Sequence, residues 1–600
     1  LAGTACLLLA LALACAASVR AERPLLSEAA LETTECARCT GSVAAGRPAG
    51  EGQIEGPCGL AISAAGSVYL ADYYHRVIDV FGAPSASAPG QYLSQIALPG
   101  SNPRLGVNTL DSVCGLAFDS AGDLYGNEWH QDVLRLSGGA AKIDGGESTG
   151  LAIDSSTDRL YVDDRTYVAE YELPFTVGDS PTAKIGLGHL GDGYGLAAAA
   201  GHVYLADAAD QTVKVFAPAT STTAPVATIA GRFNSLTDAA LAIDPTNGHL
   251  LVVDDLQPGF EHPRSAVLEF DSPAAGYAYL GRLPGDPVAG GPSGIAVAPS
   301  GRLLVTDGNG ELSNAFLYGP YQEAGFAPTF APPSPESAPS PDPVTLGLRA
   351  GTGEDPAARR RPSQTAAASE VSQRGGIRIS FQGRLLPRRL PRRGSMPVTA
   401  TVGAKIAAVG GHAPPQLRGI EIAINRNGHF APDSLPACRI DQIQPATTTA
   451  ALAACRHSLV GEGTFSARVL IPAQAPFPST GKVYAFNGRW HGHQAILAHV
   501  YGTEPVPVSY TLPFELLPQR GTYGTLLRAA LPAVTGDSGY VTGLSLNLGR
   551  AAGAGGYLTA GCPVPAGFPG ALFPFAHVKF SFAGGRAIDS TLIRECKARG

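Results

Sequence analysis

One pattern returns six times in the first half of this 600-residue chain and limits what it can fold into. A small residue precedes Leu or Ile and Ala, a short turn follows, then an apolar pair, then an acidic residue. The units begin at Gly59-Leu60-Ala61, Gly115-Leu116-Ala117, Gly150-Leu151-Ala152, Gly195-Leu196-Ala197, Ala240-Leu241-Ala242 and Gly294-Ile295-Ala296. Spacings of 56, 35, 45, 45 and 54 residues suit one supersecondary unit of four strands each, with loop insertions. Such a unit cannot bury its apolar faces alone, so the copies must pack against one another.

Within a unit, GLAIS, GLAFD or GIAVA is a short apolar run, expected to be an inner strand buried on both faces. Turn residues follow, as in Asp119-Ser120-Ala121-Gly122 or Asp244-Pro245-Thr246-Asn247-Gly248. A second strand runs into an acidic residue in every unit: Asp72, Glu128, Asp164, Asp207, Asp254 and Asp307. A third strand is legible at Val77–Phe81, Val133–Leu136, Val213–Phe216 and Ala266–Phe270.

The segment Tyr69-Leu70-Ala71-Asp72-Tyr73-Tyr74-His75-Arg76-Val77-Ile78-Asp79-Val80-Phe81 resembles an NHL repeat, and Tyr204 to Phe216 does so next best. The third and sixth units depart most, at Asp163-Asp164-Arg165-Thr166 and Asp307-Gly308-Asn309-Gly310. The resemblance covers residues 53–325 and implies an all-β fold with a six-bladed β-propeller. It says little about function, because such propellers serve as enzymes and as binding modules. Propellers resembling gluconolactonases or streptogramin lyases hold a divalent cation at the channel mouth. The corresponding candidates here are Asp72, Glu128, His130 and Asp207, with His75 and Trp129 nearby, and oxygen donors would suit calcium. The bland alternative is that a carboxylate recurring in every blade accepts backbone N–H bonds in the turn after its strand. Cys58 and Cys114, just before the Gly-Leu-Ala step of neighbouring units, could form a disulfide or stay as buried thiols.

Leu7 to Ala17 is an apolar run of leader length, followed by a small-residue cleavage site at Val19-Arg20-Ala21. Residues 1–21 are therefore expected to be a signal peptide, with a lipoprotein linkage through Cys15 as an alternative, and 22–52 an N-terminal segment. No later run is long enough for a transmembrane helix. The expected location is secreted or at the extracellular surface. Arginine outnumbers lysine 36 to 7, which with a single Met suits a GC-rich bacterial gene. Outside the leader, eight cysteines fit a disulfide framework in an oxidising compartment. Cys438 with Cys455 and Cys562 with Cys596 are the pairings in chain order, and Cys36-Ala-Arg-Cys39 lacks the second pair that a zinc site needs.

A Pro/Ser/Arg-rich linker is expected over 326–375, and a β-sandwich-like domain over 376–600, from alternating runs such as Phe465–Ile471 and Lys482–Phe486. Ten arginines between 359 and 393, opposed only by Glu370, give that stretch a charge of +9 and leave the rest of the chain at −16. That charge suits an anionic cell-surface polymer or a plain solvated linker. Nucleic acid is not an expected partner, since the chain is expected to be exported and only Phe381 interleaves with these arginines. His491 and His493 in Trp490-His491-Gly492-His493 would share a strand face, where they could hold a metal with His499. The expected function is a binding or scaffold protein with a protein or surface-polymer partner. The alternative is a divalent-metal-dependent hydrolase or lyase.

Overall fold

The computed structural model describes residues 23–27, 29–33, 52–54, 56–73, 75, 77–97, 113–138, 141–237, 239–254, 266–283, 292–307, 315–321, 370–374, 376–409, 414–470, 477–502, 508–531, 539–549 and 556–599. The expected leader, the Cys36/Cys39 pair and most of the linker lie outside them. Two compact units divide the chain: 1–23 with 321–368, and 24–320 with 369–600. Of the first only Arg23 and Tyr321 are described, the guanidinium 4.7 Å from the ring centre.

In the second unit, each sequence repeat forms an antiparallel sheet. The first runs Pro57–Ile62, Val68–Asp72, Val77–Phe81, Tyr92–Ala97. Four more follow the same up-and-down order from Val113–Phe118 to Tyr279–Arg282. The last combines Pro292–Val297, Leu303–Asp307 and Ala315–Tyr318 with Leu25–Ser27, which supplies its outer strand. The N-terminal segment thus completes the final sheet, a non-local pairing that three residues of sequence do not announce.

Alternation along each strand explains how the sheets close into a propeller. Tyr69 and Ala71 point into a core shared with Val113, Leu116 and Leu124 of the second sheet. Val68 and Leu70 point the other way, into a core shared with Leu304 and Leu317 of the last sheet. The other neighbours share cores in turn: second with third through Tyr125 and Leu160, third with fourth through Tyr161 and Leu205, fourth with fifth through Tyr204 and Val252, fifth with last through Leu251 and Val305. Each fully buried aliphatic side chain contributes about 1.5–3 kcal/mol. Glycine at the inner strand is dictated by crowding. A Cβ on Gly59 would stand 2.1 Å from the Cys114 carbonyl oxygen, and one on Gly195 equally close to that of Ala239.

The C-terminal part is β-rich as expected. Its long strands pair antiparallel in one series: Glu370–Arg374, Ile377–Leu386, Thr399–Ala408, Gly539–Leu548, Leu459–Val469, Phe477–Trp490, His493–Gly502, Val508–Pro518, Tyr523–Ala530, Leu417–Asn425, Gly570–Phe582, Ala587–Arg599. The two ends of the series meet. Ser372 Oγ donates to the Asp589 carbonyl at 3.0 Å, and Arg594 Nε to that of Gly383 at 3.1 Å. The two layers of the sandwich are therefore arcs of one wrapped sheet around Ile379, Phe381, Val483, Ile496, Val578 and Leu592.

The two β domains are joined directly. Gln95 of the first propeller sheet pairs with Leu572 of the C-terminal sheet. Val398, Leu558, Val564, Phe568 and Phe573 enter the same core as Ile78, Val80 and Leu124.

Candidate functional site

The residues singled out by the repeat gather at one end of the propeller, because each acidic strand end lies opposite the start of an inner strand. Asp72 pairs with Pro57, Glu128 with Val113 and Asp207 with Gly193. Inner-strand starts are tied here by the Cys58–Cys114 disulfide, whose Cα atoms are 4.9 Å apart. Cys438–Cys455 and Cys562–Cys596 are bonded as well, with Cα separations of 5.7 and 6.0 Å.

The strand-end carboxylates are occupied by the protein itself. Asp207 accepts hydrogen bonds from the Gly191, Asp192 and Ala209 amides at 3.0, 2.9 and 3.1 Å, and from Lys214 Nζ at 2.6 Å. Burial pushes its carboxyl upward, but Lys214 and the amides outweigh that and hold it below its ordinary value. Asp254 accepts from the Asn234 and Ser235 amides at 2.9 and 2.8 Å. Asp164 accepts from the Glu147 amide at 3.0 Å. These donors extend the expected role: besides the turn after the strand, they lie in the connection that enters the blade or, for Glu147, in the outer strand of the preceding blade. In the third unit the second strand closes at Asp163, but Asp164 holds the register position of Asp72, since Val162 faces Leu151 as Leu70 faces Leu60. The Asp307 side chain lies outside the described residues.

Asp72 instead binds a histidine. Its Oδ2 is 2.6 Å from His75 Nδ1, and its Oδ1 accepts the His75 amide at 3.1 Å, both residues being buried. One strand over lies Asp79, opposite Gln95 and fully buried. Burial first, and the Asp72 charge second, push the Asp79 carboxyl well above the usual carboxylate range, while the Gln95 amide pulls it down. An acidic residue inside the apolar run Val77–Phe81 was the signal for it.

Glu128 is buried at the end of the second blade's Leu124–Glu128 strand. Trp129 and His130 make the next turn, His130 with a positive φ of 59° and its Nδ1 3.4 Å from Glu147 Oε2. One residue before the acidic position, Asn127 Oδ1 accepts the Gly115 amide at 3.0 Å. Its counterpart Asp163 accepts both the amide and the hydroxyl of Thr149 at 2.7 Å. Burial raises the Asp163 carboxyl to about 7 against those hydrogen bonds. Among the described residues, no three His, Cys, Asp or Glu side chains gather closely enough to hold one ion.

The histidine reading in the second half is corrected. His491 and Gly492 form the turn between Phe477–Trp490 and His493–Gly502, with φ of 48° and 82°, so His491 and His493 do not share a strand face. His491 lies 3.2 Å from Glu515, whereas His499 is buried. Of the basic cluster, Arg392 donates to the Val564 and Phe568 carbonyls at 2.6 and 2.8 Å and is thereby structural.

No protein family and no curated protein matches this chain. Among solved structures, it is similar to the WD40 β-propeller domain of Doa1, at 12% identity over 43% of this chain and 88% of that one, with a TM-score of 0.28. It is also similar to a chain of a nidogen/laminin complex, at 15% identity over 40% and 85%, with a TM-score of 0.29. The β-propeller itself rests on the strand pairing and shared cores described above.

Proposed function

We propose that this chain is an exported binding scaffold, in which a six-bladed propeller of NHL type and a C-terminal β domain form one rigid surface for a protein or cell-surface polymer. The observation that carries this reading is the occupation of Asp164, Asp207 and Asp254. Asp207 is one of the candidate cation ligands and accepts backbone amides, as do Asp164 and Asp254 at the same repeat position, while the candidate Asp72 is held by His75. Continuous pairing and packing across the two domains add a second support, since binding surfaces benefit from rigidity. Three disulfides suit an oxidising compartment. No helix among the described residues is long and apolar enough to cross a membrane.

The test is to express the full chain in a bacterium that exports it, then measure its N-terminus, thiol content and bound metal by mass spectrometry. Cleavage after Ala21, oxidised cysteines and metal well below one ion per chain are the expected results. Stoichiometric calcium, together with chelator-sensitive hydrolysis of lactones, would overturn the scaffold reading in favour of a metal-dependent hydrolase.

A further inference from the structure

A groove of about 690 Å³ crosses five adjacent strands of the C-terminal sheet. Ile379 and Phe381 point into the core, so Ser380 and Gln382 point away from it. The register carries that outward face across the sheet in two rows. Ser380, Lys405, Gly543, Ser466 and Thr480 form one. Gln382, Gly403, Ser545, Thr464 and Lys482 form the other. Gly403 and Gly543 add no side chain to the floor, and a Cβ on Gly543 would stand 2.8 Å from Ser466 Oγ. The lining holds no acidic residue.

Lysine is rare here, and its placement is informative. Of seven in the chain, Lys142, Lys214, Lys579 and Lys597 pair with carboxylates, and Lys184 sits over the Tyr167 ring. The remaining two, Lys405 and Lys482, have no such partner among the described residues, and both are exposed in this groove. Three strand steps of about 4.8 Å and an offset of two residues place their Cα atoms about 16 Å apart. That spacing suits negative charges along an extended chain. Between them, Ser, Thr and Gln side chains offer the paired donors and acceptors that sugar hydroxyls use. Phe465, the aromatic residue of the lining, packs against the core and offers no stacking face.

We propose that this groove binds an acidic polysaccharide, with Lys405 and Lys482 on its carboxylates and the hydroxyl rows on its sugar rings. The inference rests on the scaffold reading and names its site and its ligand class. The test measures binding of the full chain to polygalacturonate, dextran and polyphosphate at low salt. Polygalacturonate should bind, dextran should bind far more weakly, and K405Q/K482Q should weaken polygalacturonate binding at least about tenfold with an unchanged melting curve. Glutamine replacement of Arg359, Arg360 and Arg361 should leave it within about twofold. Equal affinity of K405Q/K482Q overturns the groove while the scaffold reading stands. Equal binding of dextran overturns the charge argument, and polyphosphate binding as tight as polygalacturonate overturns the sugar. Failure of the scaffold reading shows separately, as stoichiometric metal and hydrolysis.

Discussion

Cys58 and Cys114 occupy equivalent positions in adjacent blades, and their disulfide joins the first inner strand to the second, with Cα atoms 4.9 Å apart. Packing and a covalent bond therefore act on the same pair of strands, since Ala61 and Leu116 share a core beside it.

The bridge closes a loop of 56 residues, for which the chain-entropy relation gives about 4 kcal/mol of stabilisation. C58S/C114S should lower the urea midpoint accordingly and leave the far-ultraviolet spectrum unchanged. Matching midpoints for the variant and the oxidised wild type would show that the unfolded chain gains nothing from the bond.

The seam between propeller and C-terminal domain should control cooperativity. Phe568 is buried there among residues of both, and the neighbouring Gly567 carbonyl accepts the Gly138 amide at 3.3 Å. Phe568→Ala removes a large buried side chain, at a cost of about 3–5 kcal/mol. Calorimetry should show one transition for the wild type and two for the variant. A single, merely lowered transition in the variant would place the coupling elsewhere.

What the sequence reveals and what it conceals follow from the range of the interactions. The second and third strands are apolar runs between turn residues, so local pattern suffices for Val68–Asp72 and Thr212–Phe216. The small residue at the head of each repeat is visible too, although its cause, the next blade's carbonyl beside Gly59, is not. Outer strands such as Ala183–Ile185 carry only three residues and no strong pattern. Leu25–Ser27 finds its partner about 290 residues away, a separation fixed by topology alone. The two lysines of the groove are 77 residues apart and share one face only through strand register. The strand-end carboxylates were legible as a set, but their donors come from connections and neighbouring strands that only the fold brings beside them.

Buried acids should make the protein less stable as pH rises. Asp79 has a folded-state value well above the usual carboxylate range, chiefly through burial, and Asp163 one of about 7. A group raised on folding holds its proton in the native state while the unfolded chain releases it. Its contribution is complete below the ordinary carboxylate range and is lost as pH climbs through the folded value. D79N should match the wild type near pH 4 and exceed it at pH 8, and D163N should flatten the fall between about pH 4 and 7. Urea midpoints at pH 4, 6 and 8 measure both. Parallel curves for all three proteins would place the titrating groups elsewhere.

Asp207 separates a structural carboxylate from a metal ligand. Asp207→Ala leaves three amides without their acceptor but leaves Lys214 its Asp210 partner at 2.8 Å and the His189 carbonyl at 2.9 Å, so its cost should fall below the about 3–5 kcal/mol of an uncompensated buried charge. Asp207→Asn retains an acceptor for the amides but not the charge facing Lys214, so its loss should be smaller. Because the folded-state value of Asp207 is lowered, its contribution is present above the ordinary carboxylate range and lost as pH falls through the folded value. Asp207→Asn should therefore converge on the wild type in acid, whereas Asp207→Ala, which also removes the acceptor of three amides, should stay below it. Millimolar calcium should leave the wild-type melting temperature where it is, since a ligand bound only by the native state would raise it. A calcium-dependent rise that Asp207→Asn abolishes would reassign this carboxylate from blade capping to ion binding.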